Sequence, residues 1–193
     1  MPVKTVEDRV IVHAPLDAAD RTRLSKLGKS TAITVVEAKD LDFIEGWSEL
    51  RKIQLYACKV EIDKLLPHTC LESVFINTIR SKTPDLSALG SLSKLRSLGF
   101  GYVPHLTAVP DLSACEELRR LSIFNCKRLN DLASILRIPA LEIFSIVDTP
   151  QKPEDLIDIM AMPSLTTISG AFGSKKLDEE FRRLINLHGL TYG

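Results

Sequence analysis

No stretch of the chain approaches the roughly 18 consecutive apolar residues that a membrane-crossing helix needs, so no transmembrane segment is expected. The charged start at residues 1–9 lacks the apolar h-region of a secretory signal. Neither sign of charge is in excess, with 25 Lys and Arg against 25 Asp and Glu, which removes a global field for nucleic acid or an anionic membrane. Cysteine is sparse: Cys58, Cys70, Cys115 and Cys126 form no close C-x-x-C pair. Without a signal peptide they read as reduced thiols of a cytoplasmic protein, not as a disulfide framework or a metal site.

Catalytic motifs are missing in specific ways. Gly28, Lys29 and Ser30 resemble the end of a P-loop, but the glycine required five residues earlier is Arg23. Gly99 and Gly101 lack the third glycine of a dinucleotide fingerprint, and no G-x-S-x-G or H-E-x-x-H occurs. His13, His68, His105 and His188 lie in different segments and read as surface or capping residues. Asp148 and Thr149 have no recurring carboxylate in neighbouring repeats. No catalytic, cofactor-binding or metal-ligating residue is assigned, and the chain is not read as an enzyme.

What is present is a repeat. Leu50, Ile53 and Leu55 return as Leu71, Val74, Ile76; Leu95, Leu98, Phe100; Leu118, Leu121, Ile123; Leu141, Phe144, Ile146; and Leu165, Ile168, Gly170, with successive starts 21, 24, 23, 23 and 24 residues apart. A period in the twenties is the signature of a solenoid whose coils each pair one strand with one return segment. The last two apolar positions of each copy lie two apart, as in a short strand with one buried face. Cys58 and Cys126 both stand eight residues after their repeat's first leucine, a slot that turns inward, where cysteine behaves as a small hydrophobe.

The return segments vary. Pro84 to Ala88 and Pro110 to Ala114 are near duplicates, and Gly90, Ser91 and Leu92 delay the following strand by three residues. Residues 153–160 read as a short helix with proline in its first turn. Upstream, Ile33 and Val35 fit a degenerate coil beginning at Ser30, and Val10 and Val12 supply a further strand. Between them, residues 16–27 read as a helix capped by Asp17, with Leu24 and Leu27 inward and Gly28 as its stop. Leu177, Phe181, Leu184 and Leu187 fall at helical spacing before Gly189 at a C′ position. Terminal coils need caps to keep their apolar faces from water. The expectation is therefore one complete domain over residues 1–193, with an N-terminal cap at 1–29, repeats at 30–173 and a helical C-terminal cap at 174–193.

These repeats resemble leucine-rich repeats, whose pattern L-x-x-L-x-L-x-x-N/C-x-L has this period. The resemblance covers residues 30–173, three quarters of the chain, in six in-register copies. It implies an α/β solenoid, a horseshoe with parallel strands on the concave face and short helices or irregular segments on the convex face, capped at both ends. One departure matters. The family's asparagine slot holds Cys58, Ile79, Val103, Cys126 and Thr149, so the ladder that ties adjacent turns is missing and an irregular horseshoe is expected.

In that family partners usually dock on the concave face. Carried over position by position, this face presents Lys52, Gln54, Tyr56, Phe75, Asn77, Tyr102, Arg120, Phe124, Asn125 and Asp148 as partner-binding residues. Aromatics beside arginine are common anchors of protein interfaces, although Phe75 or Phe124 folded over the rim is the plainer alternative. Gly99 and Gly101 leave either a bare trough for a partner or room for Phe75 and Tyr102. Arg51, Arg96 and Arg119 share a slot, but Glu72 and Glu142 interrupt the row, which disfavours a nucleic-acid track. The resemblance thus implies a monomeric cytoplasmic binder of another protein, without cofactor or membrane contact. Inhibitors of ribonucleases and immunity proteins that neutralise bacterial toxins are the analogues that suggest an inhibitor of a toxin or nuclease. A substrate-recruiting adaptor or scaffold subunit is the alternative.

Overall fold

The computed structural model describes residues 2–80 and 84–193. Met1 and residues 81–83, the latter inside the expected repeats, lie outside the described residues. Among the described residues ten strands form one open, uncurled sheet in strict chain order. They are β1 (Val3–Val6), β2 (Arg9–His13), β3 (Ala32–Val36), β4 (Lys52–Tyr56), β5 (Ser73–Asn77), β6 (Ser97–Gly101), β7 (Arg120–Phe124), β8 (Ile143–Val147), β9 (Thr167–Ala171) and β10 (Thr191–Tyr192). From β2 to β10 every pairing is parallel, because each coil returns its chain to the same side. Only β1 runs antiparallel, as a hairpin on β2.

The period-two reading holds in every repeat. One row of inward residues joins Ile33, Ile53, Val74, Leu98, Leu121, Phe144 and Ile168 across paired strands, all essentially buried in one continuous apolar core. The return segments are mostly 3₁₀ turns, such as Ser87–Ser91 and Ala133–Arg137. The near-duplicate prolyl segments share a local device, in which Asp85 and Asp111 accept from the backbone N–H of Ser87 and Ser113 at 2.9 and 3.1 Å. Asp131 repeats it on Ala133 at 2.8 Å. An aspartate bonding its own chain two residues on makes a turn that competes with helix.

Every coil from β3 to β8 leaves its strand through a residue with positive φ: Glu37, Ala57, Thr78, Tyr102, Asn125 and Asp148, at 50–60°. None is glycine, and a β-branched Thr78 there is an outlier that only a required turn explains. In five of these six coils the turn sends the next residue inward, where Ala38, Cys58, Ile79, Val103 and Cys126 are buried, while Thr149 after Asp148 is half-buried. These are the slots of the missing asparagine. The ties between coils are supplied instead by backbone, with Ala57 N–H donating to Asn77 O and Tyr102 N–H to Phe124 O at 2.9 and 2.8 Å. The Cys58 thiol adds a bond to Val35 O at 3.5 Å.

Burial pushes the thiols of Cys58, Cys115 and Cys126 above their ordinary value, because desolvation disfavours thiolate. The folded chain therefore keeps protons that the unfolded chain releases as pH rises through the ordinary thiol range, about 8–9. Stability should be full below that window and fall as pH climbs through it. Urea midpoints on either side of the window should decline, and replacing the three thiols by alanine should flatten the dependence. A slope unchanged by that replacement would refute a thiol origin.

Both ends carry helices, the first shorter than the expected 16–27. It ends at Ser25 with Lys26 as its cap, before Leu27 and Gly28, and Gly28 does not take the left-handed conformation of a helix stop. Helix α1 (Ala18–Ser25) is capped by Asp17, whose carboxylate accepts from Asp20 N–H at 2.8 Å, and Leu24 is buried while Leu27 is half-buried. The 153–160 segment is a 3₁₀ turn (Pro153–Leu156) running into α2 (Ile157–Met160). Helix α3 (Lys175–Leu187) starts at Ser174, whose hydroxyl accepts from Leu177 N–H. It ends before Gly189 at φ 68°. Two corrections arise here. Leu187 is 70% exposed, and Ile185 takes its place in the core; at about 100° per residue, position 187 falls roughly 120° round from Phe181. Downstream of α3, β10 adds an unforeseen edge strand on β9, with Phe181 packed between Phe172 and Tyr192 at 4.8 and 6.4 Å.

Candidate functional site

Three outward rows run across the sheet. The middle row joins Thr34, Gln54, Phe75, Gly99, Ser122, Ser145 and Ser169. The row at the strand ends joins Val36, Tyr56, Asn77, Gly101, Phe124, Val147 and Ala171, and the row at the strand starts joins Ala32, Lys52, Ser73, Ser97, Arg120, Ile143 and Thr167. Lys52, Gln54, Tyr56, Phe75, Asn77, Arg120 and Phe124 therefore lie on strands of one face. Tyr102, Asn125 and Asp148 lie one step beyond, on the left-handed turns at its rim. Tyr102 is 57% exposed there, and Asp148 is engaged by Lys127 at 3.4 Å. Ala32 is an exception to the outward column, being buried.

Phe75 organises the centre. Its ring stands 5.9 Å from that of Tyr56 at 53° and covers the two glycines of β6. A Cβ on Gly99 would come 2.5 Å from Phe75 Cδ2, and one on Gly101 would come 2.7 Å from Asn77 Nδ2 and 3.3 Å from Phe75 Cζ. Both glycines are buried. The trough is thus not bare: Phe75 and Asn77 occupy it, and the role imagined for Tyr102 belongs to Asn77. Glycine is a poor strand residue, and its value here is this close approach. The result is a half-exposed Phe75 on a fixed seat, with Tyr56 beside it on β4 and Phe124 further along on β7.

The rest of the face is polar and ordered. Ser169 donates to Ser145 at 2.8 Å. Arg9 reaches over β3 to Thr34 Oγ1 and Gln54 Oε1 at 3.3 and 2.5 Å, and Thr34 donates to Gln54 at 3.0 Å. Arg9 was missing from the expected site, although the alternation in β2 that buries Val10 and Val12 also turns Arg9 and Ile11 outward. The arginine row beside the face is not interrupted by Glu72 and Glu142 but paired with them. Arg51 pairs with Glu72, Arg119 with Glu142 at 3.1 Å, and Arg96 with Glu117 at 2.9 Å. The hydrogen bond to Glu117 raises the Arg96 pKa, and hydrogen bonds from Lys94 first and Arg96 second hold the Glu117 carboxyl below its ordinary value.

Among the described residues no group of three His, Cys, Asp or Glu is placed to hold a metal ion, and no helix is long and apolar enough to cross a membrane. His68 corrects the surface reading. It is buried, with Nδ1 3.2 Å from Trp47 O, and ties two return segments together. A cleft of about 350 Å³ lies at the rim among Leu16, Ala38 and Phe43. Four of its charged wall residues form pairs, Arg80 with Glu37 and Arg21 with Asp40 at 2.7 and 3.3 Å, and Lys39 also lines it.

Parallel strands at a period in the twenties, a left-handed turn after each of β3 to β8, and a following slot filled mostly by cysteine or aliphatic residues define a leucine-rich-repeat-like solenoid. Folds of this class generally act as scaffolds that present a binding surface to other proteins. No family model and no curated protein matches the chain. Among solved structures it is similar to an internalin from Listeria monocytogenes, at 14% identity over 96% of this chain and 86% of that one, with a TM-score of 0.32. At that TM-score nothing about function passes from the internalin to this chain.

Proposed function

We propose that the chain is a single non-enzymatic domain that binds another protein through its outer strand face and acts by occupying it, as an inhibitor does. The observation that supports this reading is Phe75, seated over Gly99 and Gly101 with Tyr56 5.9 Å away at its side. Large aromatics held in one position lose little entropy on binding, and such residues dominate interface energetics. An immunity protein that neutralises a toxin fits this mode of action, in a monomeric cytoplasmic chain. Leu187, exposed on α3, favours a second reading, in which that helix makes a further contact and the chain is an adaptor.

Phe124→Ala should leave the urea midpoint nearly unchanged, because the side chain is outward and only half-buried. It should weaken the complex by at least about tenfold, or roughly 1.4 kcal/mol. The test is capture from native cell extract, with wild type beside a folded Tyr56→Ala/Phe75→Ala/Phe124→Ala variant. A stoichiometric protein retained by wild type alone supports the face; equal retention by both moves the site elsewhere. Co-production with the captured protein then separates the modes. Relief of its toxicity or activity supports inhibition, whereas a complex that leaves activity intact and is broken by Leu187→Glu supports the adaptor.

A further inference from the structure

The chain is neutral in total, yet its charges are not evenly spread. The outward strand positions of β1 to β9 hold Lys4, Arg9, Lys52 and Arg120, and not one Asp or Glu. None of these four cations makes an ion pair among the described residues, whereas the flanking rows are paired charge for charge: Arg51 with Glu72, Arg119 with Glu142, and Lys127 with Asp148. Glu7 and Asp8, in the hairpin turn next to Arg9, make no ion pair with it. The guanidinium of Arg9 is instead held by two neutral acceptors, Thr34 Oγ1 and Gln54 Oε1. It is half-buried and fixed, and its charge is unmatched.

We propose that the strand face, if it is the binding surface argued above, receives an acidic protein surface whose carboxylates meet Arg9, Lys52 and Arg120 while its apolar side chains meet Tyr56, Phe75 and Phe124. Arg9, Lys52 and Arg120 share one row, two and three strands apart, which is about 10 and 14 Å at ~4.8 Å per strand. The aromatics occupy the two parallel rows beside it. A fixed guanidinium with free N–H groups suits bidentate carboxylate recognition, and a face without acids rejects cationic partners by leaving their charges unpaired. This points away from the substrate groove of a nuclease, which is cationic because it holds a polyanion. Nucleic acid is the poorer occupant. Four cations are few beside the roughly six to ten phosphate contacts of a typical binder, and Val6, Ile11, Val36 and Phe124 lie among them.

The test is a selection of random 20-residue displayed peptides on the purified full chain, in parallel with a random single-stranded DNA pool. Three forms are compared: wild type, Lys52→Ala/Arg120→Ala, and Arg9→Ala/Lys52→Ala/Arg120→Ala, each confirmed folded by its urea midpoint. The double variant leaves the hydrogen bonds of Arg9 in place. Wild type should enrich peptides rich in Asp and Glu with aromatic or aliphatic anchors. Their affinity should fall at least about tenfold in the triple variant, less in the double, and should weaken with added salt. Enrichment of neutral or basic peptides overturns the acidic assignment. If those peptides still depend on Phe75 and Phe124, the protein-binding reading stands without it. Preference for the DNA pool, or no enrichment at all, also overturns the proposal.

Discussion

Leu121→Ala should lower the free energy of unfolding by about 2–5 kcal/mol. Leu121 sits on β7 with no exposed surface, paired in register with Leu98 on one side and Phe144 on the other. Removing three carbons there costs transfer free energy and leaves a cavity. The cavity cannot close easily, because backbone ladders hold the neighbouring strands at about 4.8 Å. In a stack where each coil contacts only its neighbours, the loss also weakens both interfaces of that coil. Urea denaturation should show a lower midpoint at unchanged slope if the coils still unfold together. Ser122→Ala, one residue away on the outer face, should stay within about 0.5 kcal/mol. Equal effects of the two would mean that the strand register is shifted by one.

Gly90→Ala should destabilise by about 1–3 kcal/mol, although alanine is ordinarily the better residue in such a turn. A Cβ at Gly90 meets the carbonyl oxygen of Asp111, a backbone atom of the next coil, so relief requires two coils to part. The neighbouring Cys115 thiol already bonds Leu89 O at 3.5 Å across the same junction, which shows how closely the segments pack. Gly90 has ordinary backbone angles, so the substitution gains roughly 0.4–1 kcal/mol by restricting the unfolded chain. The contact should outweigh that gain. A more stable Gly90→Ala protein would show that the coils can separate there without loss.

The repeat was legible because burial of one strand face writes itself into sequence with period two, and stacking writes it again with period twenty-odd. Register then followed without ambiguity, since a slip of one residue would turn Leu121 and Ile123 to solvent. The outer face was legible only as a complement, as positions where burial does not choose the residue. That is why Lys52, Phe75 and Arg120 were placed on it while Arg9, in a strand outside the clear repeats, was overlooked. The rim was read less well. Tyr102, Asn125 and Asp148 sit on left-handed turns that no glycine announced.

By itself, then, the sequence determined the coil, its inward rows and the helical ends, because these depend on local spacing and on the sign of each residue's hydrophobicity. Only the tertiary structure decided that Phe75 fills the space over Gly99 and Gly101, that the arginine row is paired with glutamates, and that four cations on the strand face make no ion pair among the described residues. Those facts are distances between side chains some twenty or more residues apart. Contact and Coulomb energies depend on such separations, which the order of residues along the chain does not state.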